Sequence, residues 1–261
     1  MKHTTSKTVH LRLKATILLS LAFFSAYAQY NMNEHKSDNQ DPSVTYEYID
    51  LGLSVKWATF NVGSTVPEEY GDYFAWGETE PYYETGYAQE DPQSHWKESY
   101  SAGYDFSTYK HCNGSNNTIT KYCNRSEYGY NGFTDSKTTL DPEDDAAHVK
   151  WGGNWRMPTQ AELDELGNTD NCTWTWTTLN GVNGYKVTSK KSGYTDRSIF
   201  LPAAGFRFST RIRNVGSFGY YMSSSLHTDG LSNAWYGFSS EFRFDGNEGR
   251  FSGRSVRPVC P

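Results

Sequence analysis

The sequence has little of what marks several common protein classes. Only 4 of its 261 residues are Cys, and no two Cys or His stand at the Cys-x-x-Cys or His-x-x-x-His spacing of a zinc site. No apolar run reaches the ~20 residues that a membrane-spanning helix needs. The Gly-x-Ser-x-Gly turn of many serine hydrolases is also missing. These absences argue against a zinc protein, an integral membrane protein and an α/β-hydrolase.

Basic residues are also scarce beyond the N-terminus. Residues 1–28 combine four basic residues, no acidic ones, an apolar core over 15–24 and a small-residue cleavage site, Ala26-Tyr27-Ala28, which predicts a signal peptide. Removing those four charges changes the formal net charge from −6 to −10. Such an acidic chain disfavours nucleic acid and anionic membrane partners. We expect the mature protein to be secreted, periplasmic or on the outer cell surface, with no membrane insertion.

The remaining chain has the length of one large domain. Residues 29–45 are polar and lack apolar periodicity, so we expect a flexible leader, with a single domain over 46–261. The stretch 80–105 is rich in Gly, Glu, Pro and Tyr and is predicted to be an exposed insertion.

Aromatic residues are plentiful, with 20 Tyr, 14 Phe and 8 Trp. They favour β-strands, and they also suit recognition surfaces because Tyr and Trp join an apolar body to a polar tip. Short aromatic runs parted by Gly, Asn, Asp and Ser turns predict an α+β fold with short antiparallel strands, one or two short helices and long loops. The predicted strands cover residues 46–50, 51–58, 185–188, 198–202, 219–224, 234–238 and 255–259.

The most distinctive segment is a Trp- and Gly-rich turn, Trp-Gly-Gly-Asn-Trp at 151–155, that leads into a helix start. Thr159 and Glu162 have the spacing of a capping box, and Gly167 ends the helix, so we predict a helix over about 159–166. A single helical turn is predicted over 144–148, with acidic residues at its positive end.

The four cysteines, an even number in a chain predicted to be exported, indicate two disulfides with three possible pairings. Cys112 and Cys123 flank a turn-rich tip, which favours a local bridge. That leaves Cys172, just after the helix, to pair with Cys260.

Several motifs together resemble one family, the Fibrobacter succinogenes major paralogous domain, which is common in secreted proteins of Bacteroidetes. The resemblance covers about residues 46–260. The motifs are Leu-Gly-Leu-Ser-Val-Lys-Trp-Ala at 51–58, Gly-Asp-Tyr-Phe-Ala-Trp-Gly-Glu at 71–78, Trp-Arg-Met-Pro-Thr at 155–159, Phe-Leu-Pro-Ala-Ala-Gly at 200–205, Tyr-Met-Ser-Ser-Ser at 221–225 and Ser-Val-Arg-Pro-Val at 255–259.

This resemblance implies a C-type-lectin-like fold, shared more distantly with formylglycine-generating enzymes. Such folds pair the last strand with the first, and a late Cys bridges to a helix, in agreement with a Cys172–Cys260 pair. The sequence departs from the family at Met222, where Trp is usual. On this basis Trp155, Arg156 and Thr159 are expected to be scaffold residues that set the helix against the sheet.

Catalytic residues are not singled out by the sequence. A formylglycine-generating enzyme needs a reactive cysteine pair near the end of its domain, and only Cys260 is there. Glycoside hydrolysis needs two carboxylates roughly 5–10 Å apart, and the many acidic residues single out no such pair. We therefore expect a protein that is not an enzyme. An exported enzyme of either kind and a structural subunit of a surface appendage remain alternatives.

Metal and cofactor sites are not expected. The Glu-Pro-Asn, Gln-Pro-Asp and Trp-Asn-Asp signatures of calcium-dependent lectins are missing. The acidic run 141–145 offers oxygen ligands for a hard cation, but acids at a helix N-terminus are the interpretation we favour.

Binding is the function that remains, with a glycan or glycoprotein as the expected ligand. The segment 226–254 alternates aromatic rings with Arg, Asp and Asn, which can stack on sugars and bond their hydroxyls. In related folds this region lines the ligand face. The candidate ligand-binding residues are Trp235, Tyr236, Phe238, Glu241, Arg243, Asp245, Asn247, Arg250 and Arg254.

Overall fold

The structure is a computed structural model that describes residues 33–35, 45–82, 103–227, 233–236 and 246–261, with backbone pairing alone for 33–35, 233–236 and 246–248. The predicted signal peptide and most of the stretch 80–105 lie outside these residues. Short antiparallel strands dominate, as the α+β prediction requires. The strands are β1 Asn33–His35, β2 Tyr46–Ile49, β3 Lys56–Ala58, β4 Cys172–Leu179, β5 Val182–Ser189, β6 Ser198–Pro202, β7 Phe206–Phe208, β8 Arg211–Arg213, β9 Met222–Leu226, β10 Asn233–Tyr236, β11 Gly246–Gly249 and β12 Val259–Cys260; the helices are α1 Ala146–Trp151 and α2 Gln160–Gly167, with 3-10 turns at Tyr130–Gly132 and Pro142–Asp144.

The first sheet joins the two ends of the domain, in the order β1-β2-β3-β12. The C-terminal strand pairs antiparallel with β3, where Val259 lies opposite Trp57. In the predicted leader, β1 pairs with β2 through Asn33 and Tyr48. Residues 33–35, which lie within the predicted leader, thus add a strand at the free edge of β2, where backbone groups supply hydrogen-bond partners for an extended segment.

The second sheet, β4-β5-β6, packs its inner face against α2. The strand β4 alternates Thr and Trp, and the sequence analysis did not identify it. Trp174 is buried and its indole N–H donates to the Leu166 carbonyl, 3.0 Å away, at the end of α2. The helix contributes Leu163 and Leu166 to this core.

The third sheet, β11-β10-β9, borders the largest cluster of buried side chains. Trp151 and Trp155 meet edge to face at 5.1 Å in this cluster, and Tyr46 stacks on Trp151 at 4.2 Å. Met222, where the resembled family has Trp, is 1% exposed. Tryptophan rings from the Trp-Gly-Gly-Asn-Trp turn therefore anchor the two helices to the first sheet.

Neither predicted disulfide is formed, since all four cysteines lie in the described part of the chain as free thiols. Side chains of a strand alternate between its faces. Val259 packs in the same cluster as Cys172, so its neighbour Cys260 points into the other cluster. Cys112 and Cys123 instead donate to the carbonyls of Phe106 and Arg125, at 2.9 and 3.2 Å.

The predicted strand 255–259 is reduced to β12, because Arg257 turns into the core. Its guanidinium donates to the carbonyls of Ala58, Thr59 and Phe200 at 2.9–3.0 Å, and to Asn61 Oδ1 at 2.8 Å. Burial lowers the pKa of Arg257 to about 10, so the group stays charged at neutral pH. One side chain thus ties the segment before β12 to the end of β3 and to β6.

None of the described helices is long and apolar enough to span a membrane. The longer of the two, α2, has eight residues.

Candidate functional site

A cavity of about 310 Å³ lies between α1, the start of α2 and β9. Its position follows from backbone hydrogen bonds, since Leu140 N donates to Ser224 O at 3.0 Å and Ser224 N donates to Pro158 O at 2.7 Å. The lining residues are Thr139, Leu140, Pro142, Asp145, His148, Gly153, Asn154, Trp155, Arg156, Thr159 and Ser224.

Asp145 is the buried carboxylate of this cavity, with 5% of its surface exposed. It caps α1 by accepting from His148 N at 3.0 Å, and both of its oxygens accept from Met157 N, at 2.9 and 3.1 Å. Burial raises the pKa of Asp145. The side chain is thus a fixed acceptor that joins α1 to the segment before α2.

Arg156 and Thr159 form the wall of the cavity opposite Asp145, and hydrogen bonds to Glu162 hold both side chains in place. The capping box is confirmed, since Thr159 Oγ1 accepts from Glu162 N at 3.3 Å and Thr159 N donates to Glu162 Oε2 at 2.8 Å. Arg156 donates to both Glu162 oxygens, at 2.5 and 2.8 Å. Burial opposes ionisation of Glu162, but the Arg156 and Thr159 hydrogen bonds lower its pKa.

The rim is the turn between the helices. Gly152 and Gly153 have φ of +67° and +55°, a left-handed pair that two glycines adopt without strain. The turn leaves Asn154 exposed and brings His148 Nδ1 within 3.2 Å of Trp155 O. Because a carbonyl only accepts, we assign the proton to Nδ1, which leaves Nε2 of the neutral ring as an acceptor.

The acidic run beside the cavity is already neutralised by lysines. The carboxylate oxygens of Asp141, Glu143 and Asp144 lie within 4.8 Å of one another, close enough to hold a metal ion. However, Lys121 Nζ lies among them, 2.7 Å from Asp141, 2.6 Å from Asp144 and 3.5 Å from Glu143. Lys110 adds a contact of 2.8 Å to Asp144. An ammonium group therefore takes the place that a hard cation would need.

The predicted binding segment 226–254 lies only partly within the described residues. Backbone pairing sets Trp235 opposite Asn247 and Tyr236 opposite Gly246 in β10 and β11. Phe238, Glu241, Arg243 and Asp245 lie outside the described residues.

The last two candidate residues of this segment, Arg250 and Arg254, are 0% exposed, so neither is open to a ligand at the surface. Arg250 donates to the carbonyls of Lys121 and Tyr122, and its guanidinium lies 5.1 Å from the centre of the Trp76 ring.

The structure therefore places a cavity in the segment where the sequence analysis expected scaffold. Trp155, Arg156 and Thr159 do hold the helix, but they also line the cavity. Asp145, His148, Asn154 and Ser224 were not identified as site residues. One local signal indicates that a polar rim forms there. It is the pair of consecutive glycines followed by an exposed Asn, between two short helices.

Comparison of the chain with protein-family models, with curated proteins and with solved structures gives no match. The family resemblance thus stays a prediction that depends on the motifs themselves.

Proposed function

We propose that this protein is a binding domain without enzymatic activity that recognises a glycan or glycoprotein through the cavity between α1 and α2. The observation that carries the proposal is the way the cavity's polar groups are held. Asp145, Arg156 and Thr159 are each fixed by hydrogen bonds to backbone or to Glu162. Groups fixed in advance bind a ligand without losing further side-chain entropy.

Sugar chemistry suits this lining. A sugar ring has apolar C–H faces and hydroxyl edges, and the cavity combines the apolar side chains of Leu140 and Pro142 with polar groups at its wall and rim, while the Trp155 ring lies buried beneath the lining. The carboxylate of Asp145 can accept from a neighbouring hydroxyl, and the amide of Asn154 can both accept from and donate to hydroxyls. A volume of about 310 Å³ lies at the small end of ligand sites, which favours one or two sugar units over a long chain.

The topology supports a C-type-lectin-like fold as part of the proposal. The last strand, β12, pairs beside the first strands of the domain, as the family resemblance implies. Two short helices precede the second and third sheets, in the order that the motifs predict. The segment 233–249 remains a second candidate contact region for the same ligand.

The state of Cys260 supports the non-enzymatic choice. Its thiol is free, as a formylglycine-generating mechanism would need, but it is 2% exposed. Burial raises its pKa to about 11, so roughly one molecule in a thousand carries the thiolate at pH 8.

We expect Cys260 to resist iodoacetamide in the native protein at pH 8 and to react fully once the chain is denatured, without a reductant. Mass spectrometry of the digested protein measures both. The matched reference is Cys112, which is partly exposed and also has a raised pKa. Rapid native alkylation of Cys260 would instead support an enzyme with a reactive thiol.

The binding proposal is tested on a glycan array with the mature chain and two cavity variants. Asn154→Ala removes an exposed amide and is expected to weaken binding about tenfold with no change in thermal stability. Thr139→Phe puts a larger side chain into the cavity lining and is expected to abolish binding.

Asn116→Ala is the matched control, since Asn116 is also exposed in a turn but lies outside the cavity lining. Its array profile should equal that of the unchanged protein. If Asn154→Ala and Thr139→Phe both retain full binding, the cavity is not the site. Alanine at Trp235, Tyr236 and Arg243 then tests the second region.

A further inference from the structure

The strand β4 ends its sheet with a long edge that carries no charge. It has eight residues, Cys-Thr-Trp-Thr-Trp-Thr-Thr-Leu, and lies outside β5 in the order β4-β5-β6. Trp176 is 42% exposed and meets Tyr185 edge to face at 5.0 Å. Thr173, Thr175 and Thr178 are exposed as well.

The backbone of this edge has a defined direction. Lys190 N donates to Asn171 O at 2.8 Å, which makes these two residues a hydrogen-bonded pair of the β4–β5 ladder. Such pairs alternate along an antiparallel ladder, and β4 keeps its register without a bulge. The N–H and C=O groups of Trp176 and Thr178 therefore point away from β5.

The other described sheet edges are shorter, charged or covered, as is usual for edges that must not pair. The edge of β6 contains Pro202, and Arg257 binds its Phe200 carbonyl at 2.9 Å. The edge of β12 is covered by Arg156, because Val259 N donates to Arg156 O and Arg156 N donates to Val259 O. Four of the remaining edge strands are short and charged: β1 has three residues including Glu34, β7 and β8 have three residues each with one and two arginines, and β11 has four residues including Glu248. The edge of β9 is covered, since it hydrogen-bonds to the backbone of Thr138 and Leu140.

We propose that β4 is the contact strand of a symmetric dimer, in which a second copy of this chain pairs its own β4 antiparallel along this edge. The two three-stranded sheets then form one six-stranded sheet. A twofold contact sets each strand against its own sequence, so a charge at its centre would meet the same charge. The eight uncharged residues of β4 meet this condition although the whole chain is acidic.

Lysines lie at one end of β4 and a glutamate at the other, which suits antiparallel pairing. At the Cys172 end, Lys190 Nζ donates to Thr169 O and Lys191 Nζ donates to Asn171 Oδ1; the nearby acids are Asp170 and Glu165, and the Glu165 carboxylate accepts from Ser54 N at 3.0 Å. At the Leu179 end, Glu68 accepts from Asn180 Nδ2 at 2.6 Å. An antiparallel copy brings the lysine end of one strand to the Glu68 end of the other.

The contact has an aromatic centre. The backbone N–H and C=O groups that point away from β5 belong to the even-numbered residues of β4. Even-numbered residues of one copy must therefore lie opposite even-numbered residues of the other. Two registers satisfy this rule with the longest overlap of the two strands. One places Trp176 opposite Trp176 of the second copy, and the other places it opposite Trp174. A half-exposed indole at the middle of an interface is the type of residue that contributes most to binding.

The dimer is tested by sedimentation equilibrium of the mature chain over a hundredfold range of concentration. We expect a reversible monomer–dimer equilibrium, and Trp176→Lys should weaken it at least tenfold. Thr134→Lys adds the same charge at an exposed position far from β4 in the chain and should dimerise like the unchanged protein. A chain that is monomeric at every concentration, or Trp176→Lys dimers as tight as the unchanged ones, would overturn the proposal.

Hydrogen exchange gives a second test without any substitution. The Thr178 amide should exchange slowly at high protein concentration and quickly on dilution, whereas the Thr177 amide, which faces β5, should stay protected throughout. Exchange at Thr178 that does not depend on concentration would contradict the pairing. Both tests are independent of glycan binding, because the cavity and β4 share no residue.

Discussion

Replacing Arg257 with Met will lower the free energy of unfolding by about 3–5 kcal/mol, because it removes the donors that satisfy a set of buried acceptors. The guanidinium is 1% exposed and donates to four acceptors on two separated segments, 58–61 and β6. Methionine fills the space but leaves the Ala58, Thr59 and Phe200 carbonyls buried without donors. Urea denaturation followed by tryptophan fluorescence measures the loss.

Two variants define how that loss arises. Arg257→Lys keeps the charge but offers fewer donors in a poorer geometry, so a loss of about 2 kcal/mol or more is expected. Arg211→Met, at an exposed position on β8, should change stability by less than about 0.5 kcal/mol. An Arg257→Met protein as stable as the unchanged one would show that these carbonyls find other donors.

Asp144→Asn is expected to cost about 2–3 kcal/mol, because the Asp144 side chain is 2% exposed and surrounded by cations. Its oxygens accept from Lys110 at 2.8 Å, Lys121 at 2.6 Å and Tyr122 at 2.8 Å. Thermal unfolding at pH 7 measures the loss. Glu143→Gln is the control in the same cluster, and it should change little because that side chain is 69% exposed and 3.5 Å from Lys121.

The same carboxylate sets a dependence on pH. Burial alone would raise the pKa of Asp144, but the bonds from Lys110, Lys121 and Tyr122 lower it to about 2. A lowered folded-state pKa means that the stabilisation is complete above about pH 4 and is lost as the pH falls towards 2. The stability difference between the unchanged protein and Asp144→Asn should therefore shrink over this window. A constant difference down to pH 2 would contradict the lysine contacts.

The parts of the fold that sequence could predict are those set by local pattern. Alternation located β2, and a short apolar run between turn residues located β6. The Thr159–Glu162 spacing located the start of α2, because a capping box depends on residues three apart. The Thr–Trp alternation of β4 has the same period of two, but the sequence analysis did not identify this strand.

Other features depend on contacts between distant segments, which pattern does not carry. Whether Arg257 is exposed depends on carbonyls some 200 residues away. Whether Cys260 meets Cys172 depends on which face of β12 it occupies. The cavity depends on the way β9 and the helix turn meet, so its residues could be assigned to scaffold from the sequence but not to a site.

A titration of the ¹⁵N-labelled mature chain with free mono- and disaccharides, followed by NMR, tests most directly whether the cavity is a sugar site. We expect at least one sugar to give saturable shifts of the Gly153, Asn154 and Arg156 amides and of the Trp155 indole N–H, with the exposed Asn116 amide unchanged. Sugars that bind but leave these four signals unmoved, or shift only residues 233–249, would contradict the proposed site.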